Sequence, residues 1–444
     1  MLLNISKQII FMITKDEIFR ILTDWNMWER DQETGFPRDT YNLKIKNLLK
    51  TGQIVTLTGV RRAGKSTLMK QQMRLLIQSG VPRNEILYVN LEDPRFEGEL
   101  SLPLLTRVYE VYMENMKPVN KPYIFLDEIQ EIAGWEKFVV SLQERNAAHI
   151  VVSGSSSRLL SSEFSTLLTG RHLDVEVFPL DFPEYLYFSG MDPSNRLNIV
   201  ANRIKVEGLL KEYIESGGFP LAVLTHNKQI LFDYFRDIIF KDVVYRHRIR
   251  EVGKVNALAK FYLTNISSQI TFNKIKNFLN TSIETIERFS HYLASSYLIF
   301  FLKRFSYSVK DQEKSPRKVY AIDTGLRNVV AHRFLGDYGR LAENIVFLHL
   351  LKLGKELYYW KDKEQHEVDF IIKEGMQVGD AVQVCWALED EKTKKREVGG
   401  LVKAAKELKL REGMVITSEY KGEEKVNDIT IKYVPLSSFL LNFY

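Results

Sequence analysis

The chain has 444 residues, roughly three times the usual domain length, so we expect about two to four domains. Its 45% hydrophobic and 27% charged residues, with 24 Gly and 12 Pro, exclude a disordered or fibrous protein. The single cysteine, Cys385, excludes an intramolecular disulfide and any multi-cysteine metal site, which is typical of a cytoplasmic protein.

Charge is distributed unevenly along the chain. The 62 Lys and Arg against 56 Asp and Glu give a net charge of +6, but residues 228–333 contain 19 basic and 9 acidic residues. The rest of the chain has 43 basic and 47 acidic residues. This basic middle region favours a nucleic-acid partner, and we expect DNA.

The N-terminal segment, residues 1–44, is predicted to be helical. Its apolar run at 9–13 is far shorter than a membrane span, so we expect no membrane association. Thr14, followed three residues later by Glu17, predicts a capping box at the start of a helix.

Residues 45–195 are predicted to form an α/β domain. Short runs rich in Val, Ile and Leu alternate with helical patterns near 66–79, 101–116 and 135–146. Continuous apolar strands of this kind predict a parallel sheet covered on both faces. The predicted strands are 54–57, 86–91, 123–126, 149–152 and 173–178.

A phosphate-binding loop follows the first of these strands. The sequence matches G-x-x-x-x-G-K-[ST] and enters a helix, as this motif requires. Backbone N–H groups and the helix N-terminus are expected to surround the phosphates of ATP. Lys65 is expected to reach the β and γ phosphates, and Ser66 to coordinate Mg²⁺. The predicted ATP-binding residues are Gly59, Val60, Arg61, Arg62, Ala63, Gly64, Lys65, Ser66 and Thr67.

An acidic pair, Asp127 and Glu128, follows the strand 123–126, at the edge where parallel sheets bind ligands. We expect Asp127 to hold Mg²⁺ through water and Glu128 to polarise the attacking water as general base. The strand 86–91 lies between the two motifs in the sequence, which implies that the motif-bearing strands are separated in the sheet. This arrangement resembles the additional-strand ATPases, including the AAA type. Glu92 and Asp93 belong either to the site or to a surface loop.

Two further catalytic residues are predicted. Ser153 directly follows the strand 149–152, at the position where the AAA type places a sensor of the γ-phosphate. A Ser-Gly-Ser sequence is also a good turn, which is the alternative. Arg171 is either an arginine finger, acting in cis or on a neighbouring subunit of a homo-oligomer, or a partner of Asp174 or Glu176 in a surface ion pair.

Residues 196–250 are predicted to form a helical lid, interrupted at 217–220 by glycines and a proline. Residues 251–333 have the element order of a winged helix: helices near 255–267, 271–279 and 283–295, then strands at 298–305 and 319–322 with a basic connection.

The third of these helices would face a DNA groove, while the wing would meet phosphates. Glu284 and Glu287 would repel phosphate, so a winged helix used for packing or subunit contact is the alternative. The predicted DNA contacts are Thr285, Arg288 and His291 on the helix and Lys310, Lys314, Arg317 and Lys318 on the wing.

Residues 334–444 are predicted to form a second α/β domain. Its helices are predicted at 341–353 and 390–408, and its strands at 356–360, 367–372, 381–386 and 414–417.

Several segments together resemble the prokaryotic ATP-binding AAA family (AAA_14 type) with a C-terminal DUF4143 domain. The resemblance implies an AAA-like P-loop NTPase fold, then a winged helix, then a domain that looks like a degenerate relative of restriction-endonuclease folds. The segments are GVRRAGKST, NLEDPRF, IFLDEIQEIAGWEKFV, SGSSSRLLSSEF, LLTGRHLDVEVFPLDFPEYL and GGFP.

A restriction-type nuclease centre needs two acidic metal ligands and a lysine. Glu343, Asp369 and Gln383 stand where such a fold carries its metal ligands, as a vestigial set. Cys385 occupies the lysine position and cannot replace it, because a thiol is mostly neutral at pH 7. Lys403 on the following helix is the alternative source of a cation.

These features predict a cytoplasmic, Mg²⁺-dependent ATPase that couples γ-phosphate occupancy to movement of the basic and C-terminal domains on DNA. A slow regulatory switch acting on protein partners and an ATP-regulated nuclease are the alternatives.

Overall fold

The computed structural model describes residues 13–155, 168, 170–331, 338–375 and 377–443. The chain divides into two compact units. The first unit comprises the chain up to Gly59 together with Gly64–Val177, and the second comprises Val60–Ala63 and the chain from Phe178 onward.

A five-stranded parallel sheet forms the centre of the first unit. Its strand order is β2-β3-β4-β1-β5, so β4 separates the two motif-bearing strands β1 and β3, while β2 lies at the edge. This confirms the predicted separation of the two motifs. The strands are β1 Ile54–Thr58, β2 Ile86–Asn90, β3 Tyr123–Asp127, β4 His149–Gly154 and β5 His172–Glu176.

Helices pack against this sheet through its apolar side chains. Leu126 of β3 and Val152 of β4 belong to one buried cluster with Val108 and Trp135 of the helices. Each such side chain contributes about 1.5–3 kcal/mol by burial. The helices are α1 Lys15–Trp25, α2 Asp39–Leu49, α3 Lys65–Gln78, α4 Leu102–Met116 and α5 Trp135–Glu144.

The capping box predicted at the start of α1 is present. The Thr14 hydroxyl accepts a hydrogen bond from the Glu17 amide, and the Thr14 amide donates to the Glu17 carboxylate. Among the described residues, no helix combines the length and the apolar character needed to cross a bilayer.

The second unit begins with helices whose predicted interruption is confirmed. A Cβ on Gly218 would lie 2.1 Å from the Leu180 carbonyl oxygen, and the Gly218 amide donates to the Asp323 carboxylate at 2.6 Å. Only glycine permits this close approach. The elements are α6 Phe182–Phe188, α7 Arg196–Ala201, α8 Arg203–Ser216, α9 Pro220–Thr225, α10 Gln229–Asp237 and a π-helical segment Ile238–Tyr245.

The basic middle of the chain forms three helices and a small antiparallel sheet of order β6-β8-β7. The helices and the last two strands lie where the sequence predicted them, but the connection between β7 and β8 contains a helix. The elements are α11 Val252–Thr264, β6 Ser268–Ile270, α12 Phe272–Leu279, α13 Ile283–Ser295, β7 Ile299–Leu302, α14 Val309–Lys314 and β8 Arg317–Ala321.

A mixed six-stranded sheet of order β13-β14-β12-β11-β10-β9 ends the chain. The four predicted strands and both predicted helices are present. The charged β13 has no apolar pattern that would predict a strand, whereas β14 has an alternating one and was missed. The elements are α15 Thr324–Val330, α16 Tyr338–Lys352, β9 Glu356–Lys361, β10 Glu367–Glu374, β11 Gln377–Cys385, α17 Glu391–Glu407, β12 Glu412–Thr417, β13 Gly422–Val426, β14 Ile429–Pro435 and α18 Leu436–Leu440.

Candidate nucleotide site and buried ion cluster

The phosphate-binding motif joins the end of β1 to the start of α3. Gly59 has a φ of 138°, and a Cβ there would lie 2.1 Å from the Val177 carbonyl oxygen, so this position requires glycine. Gly64, with a φ of 100°, precedes the first residue of α3. The loop therefore ends at a helix N-terminus, whose N–H groups and partial positive charge suit an anion.

Lys65 and Glu128 lie close together at the carboxyl edge of the sheet. The buried Lys65 ammonium donates to the Gly59 carbonyl at 3.0 Å and lies 3.9 Å from a Glu128 carboxylate oxygen. Ser66 is half-buried and Thr67 is exposed. The fold thus brings together residues of the two predicted motifs.

Asp127 is the centre of a buried hydrogen-bond network. The Tyr88 hydroxyl donates to one of its carboxylate oxygens at 2.6 Å, and the Ser153 hydroxyl donates to the other. Burial raises the pKa of Asp127 and the charge of Glu128 raises it further, while hydrogen bonds from Ser153, Ser66 and Tyr88 oppose both effects. The network joins β2, β3, β4 and the first turn of α3 at one point.

Glu128 is held in an uncommon conformation. Its φ of 54° lies in the left-handed region, its amide donates to Ser153 Oγ at 3.1 Å, and Gln130 Nε2 donates to its carboxylate at 2.6 Å. Gln130 was not predicted, because it lies outside both motifs. Tyr88 was also missed, because a tyrosine within a continuous apolar strand is typical of a core position.

The donor set at this edge fits Mg²⁺. The Ser66 hydroxyl and the Asp127 carboxylate are hydrogen-bonded to each other. Mg²⁺ prefers oxygen ligands of this kind. Asp93 does not join them: it accepts from Trp25 Nε1 at 2.6 Å, and hydrogen bonding from Arg95 lowers its pKa to about 2. Asp93 therefore stabilises its own loop.

Arg171 lies at the opposite edge of the sheet. The Ile54 amide, at the start of β1, donates to its carbonyl at 3.0 Å, so Arg171 is a strand length of about 13–16 Å from the loop that follows β1. Its guanidinium pairs with Glu144 at 2.8 Å. An arginine finger in cis is therefore wrong, as is the pairing with Asp174 or Glu176. Its action on a neighbouring subunit stays a prediction.

Within the second unit, which includes Val60–Ala63, two loop arginines have specific side-chain partners. The buried Arg61 guanidinium forms two contacts with the Asp242 carboxylate, at 3.1 and 3.2 Å. The Arg62 guanidinium lies 5.7 Å from the centre of the Tyr234 ring. The predicted role of these residues in phosphate binding therefore depends on their backbone groups.

Most of the predicted DNA contacts are accessible. Arg288, His291, Lys310 and Lys314 are exposed. Thr285 is half-buried near the start of α13, where its amide donates to Ser282. Arg317 is also half-buried and pairs with Glu313 at 3.1 Å.

The prediction that Lys318 contacts DNA from the wing is wrong. This residue is only 1% exposed and cannot reach a phosphate on the surface. Its ammonium lies 3.0 Å from Glu343, 2.7 Å from Glu367 and 2.7 Å from Asp369, and we call these four residues the Lys318 cluster. Residues two apart in a strand share a face, so Lys318 and Tyr320 of β8 both point inward. The Tyr320 hydroxyl donates to Glu343 at 2.7 Å, as expected for this shared face.

Charge and burial act against each other in the Lys318 cluster. Burial alone would lower the pKa of Lys318, but the carboxylates of Asp369 and Glu343 hold it well above its usual value. Burial, with the negative charge of Asp369, raises the pKa of Glu343 to about 8. The positive charge of the buried Lys318 therefore depends on the acidic residues around it.

The remaining nuclease predictions also need correction. The oxygen of the Gln383 side-chain amide accepts from the Asp369 backbone amide at 3.0 Å, and its nitrogen donates to Glu397 at 2.7 Å. Both ends of this side chain are therefore hydrogen-bonded to the protein. Lys403 is exposed and pairs with Glu364 at 2.5 Å. The cation beside Glu343 and Asp369 is thus Lys318, which comes from an earlier part of the chain than the predicted set.

Comparison with known proteins identifies related families along most of the chain. A model described as an AAA domain matches residues 51–186. Models of two domains of unknown function, DUF8612 and DUF4143, match residues 207–335 and 338–439.

Two full-length relatives are uncharacterized proteins. One, MJ1544 of Methanocaldococcus jannaschii, is 34% identical over 90% of this chain and 91% of its own length. The other, from Haemophilus influenzae, is 28% identical over 89% of this chain and 97% of its own length.

Solved structures are similar at low identity. The Walker-type ATPase PABY2304 of Pyrococcus abyssi has a TM-score of 0.38 and 15% identity, over 66% of this chain and 95% of that one. The Aeropyrum pernix ORC1 protein, solved in complex with DNA, has a TM-score of 0.31 and 13% identity, over 72% and 97%.

Proposed function

Because the chain belongs to the family of AAA-domain proteins with a C-terminal DUF4143 domain, we propose that it is a Mg²⁺-dependent ATPase whose nucleotide state controls a basic DNA-binding module. The observation that carries the proposal is the convergence of Lys65, Asp127 and Glu128 beside a phosphate-binding loop.

Each residue at this edge has a role in the proposed reaction. The backbone amides of the loop and Lys65 bind and orient the phosphates. Glu128 accepts the proton of the attacking water, and Ser153, which contacts both Asp127 and Glu128, positions the two carboxylates. Ser66 and Asp127 would hold Mg²⁺, which would supply positive charge against the charge that develops on the phosphates.

The DNA part of the proposal depends on the exposed cations of the basic region. Arg288, Lys310 and Lys314 are free to meet a phosphate backbone, which binds cations without sequence preference. We do not extend the proposal to DNA cleavage, because the carboxylates of the Lys318 cluster already contact a buried ammonium. This favours a structural role for the cluster.

Lys65→Ala tests the nucleotide site. We expect it to abolish steady-state phosphate release and to weaken ATP binding at least about tenfold, because charge-assisted hydrogen bonds to the phosphates are lost. Phosphate release and binding of a fluorescent ATP analogue measure the two effects. The exposed Lys50 gives a matched control, Lys50→Ala, which should behave as wild type. Wild-type turnover in Lys65→Ala would contradict the proposal.

Salt dependence tests the DNA partner. Affinity for duplex DNA should fall steeply with salt, and Arg288→Ala, Lys310→Ala or Lys314→Ala should each lower the slope of log affinity against log salt by about one. Lys395→Ala, which changes an exposed lysine of α17, is the control. If the wild type binds no DNA at low salt, the alternative of a regulatory switch acting on protein partners is favoured.

A further inference from the structure

A cleft of about 550 Å³ lies in the second unit, between the connection that joins β7 to β8 and the C-terminal sheet. Three aromatic rings line it. Phe305 lies edge-on to Tyr307, with ring centres 5.2 Å apart, and edge-on to Tyr358 at 5.8 Å. The Tyr307 side chain is 83% exposed, so its ring is available for stacking.

The polar groups of the cleft favour an anionic ligand. Lys373 and Lys409 line it, and Lys409 is exposed and forms no ion pair with a described residue. The nearby Glu356 carboxylate accepts from Lys373 at 3.1 Å and from the Tyr358 hydroxyl at 2.7 Å, so its charge is offset. Because Glu356 and Lys373 offset each other, Lys409 leaves a net positive charge at the cleft. Aromatic rings alone would also attract a cation, but this charge opposes one.

Amide groups complete the lining. The Gln312 nitrogen donates to the Ser306 carbonyl at 2.8 Å, which fixes the side chain, while Gln377 is exposed. Amides both donate and accept hydrogen bonds, as the edge of a nucleobase does. A volume of this size lies in the range of about 300–1,000 Å³ that is usual for small-ligand sites.

We propose that this cleft binds an unpaired nucleotide of single-stranded DNA, with the base stacked on Tyr307 and the phosphate beside Lys409 and Lys373. The inference rests on the proposed function to the extent that DNA is the partner. The connection between β7 and β8 that supplies Tyr307 and Gln312 to the cleft also carries Lys310 and Lys314, two of the predicted DNA contacts. Stacking on an aromatic side chain tolerates any base, so the site needs no sequence preference.

Binding of labelled oligothymidine and of duplex DNA to the full chain, measured by fluorescence anisotropy at low salt, tests this site. Tyr307→Ala should weaken binding of the single strand about tenfold and leave duplex binding unchanged. Tyr307→Phe, which keeps a ring, should bind the strand as wild type does. Tyr245 is 85% exposed and does not line the cleft, so Tyr245→Ala is the matched control.

The outcomes separate this inference from the proposed function. Equal strand affinity in the wild type and Tyr307→Ala, or a wild type that binds duplex alone, overturns the cleft site and leaves the duplex partner in place. If thymidine 5′-monophosphate binds as tightly as the strand, and Tyr307→Ala weakens both, the ligand is a free nucleotide and the inference is overturned. If neither form of DNA binds, the DNA partner and the cleft site both fail, whereas Lys65→Ala still tests the ATPase.

Discussion

Glu128→Gln is expected to lower the rate of ATP hydrolysis by about 100- to 10,000-fold, the usual contribution of a general base. The amide has the size of the carboxylate but cannot accept the proton of the attacking water. Lys65 and the phosphate-binding loop are unchanged, so ATP should stay bound. Single-turnover phosphate release, together with retention of labelled ATP on the protein, measures both effects.

A change of charge elsewhere in the first unit provides the control for this variant. Glu110 is exposed on α4 and takes no part in the network around Asp127, so Glu110→Gln should hydrolyse ATP at the wild-type rate. If Glu128→Gln turns over at the wild-type rate, another group accepts the proton. If Glu128→Gln fails to bind ATP, the carboxylate is needed for binding, and its assignment as the base has no support.

The first unit could be predicted from the sequence because its signals are local. Continuous Val, Ile and Leu runs mark the strands, and a motif with two glycines at fixed spacing marks the loop. The proximity of Lys65 and Glu128 could also be predicted, because both residues follow parallel strands of one sheet.

Residues whose role depends on tertiary packing could not be predicted in the same way. Tyr88 has the pattern of a core residue, and only the register that pairs β2 with β3 shows that its hydroxyl contacts Asp127. Arg171 follows a plausible finger motif, but it precedes β5 and therefore lies at the wrong edge of the sheet.

Lys318 shows why counts of charge overestimate a binding surface. The sequence around it, Lys314 to Lys318, has the composition of an exposed basic tip. In the structure β8 begins at Arg317, and the alternation of the strand turns Lys318 into the interior, where acidic residues offset its charge. The case for DNA therefore depends on fewer exposed cations than the net charge of this region implies.

Lys318→Met is expected to lower the free energy of unfolding by about 3–5 kcal/mol near neutral pH, because it leaves the buried Asp369 carboxylate without its cation. Methionine is similar in length and apolar, so the loss reflects charge more than volume. Urea denaturation followed by circular dichroism measures it. Lys432, which pairs with Glu412 on the surface at 2.6 Å, gives the control Lys432→Met, and little change is expected there.

Neutralising the two buried acids should restore much of this loss, because an apolar or neutral replacement of buried ionic partners costs little. The third acid, Glu367, is only half-buried and also lies 3.7 Å from Lys361, so it keeps a cation. Lys318→Met combined with Glu343→Gln and Asp369→Asn should therefore be more stable than Lys318→Met alone. The pKa of Glu343 is about 8 in the folded chain and about 4 when unfolded, so folding favours its protonated form. The free energy of unfolding therefore falls as pH rises through this range. Without Lys318 that pKa rises further, and the deficit of Lys318→Met should be larger at pH 8 than at pH 5. A deficit that is independent of pH and unchanged by the neutral acids would show that packing, and not charge, accounts for the effect of Lys318.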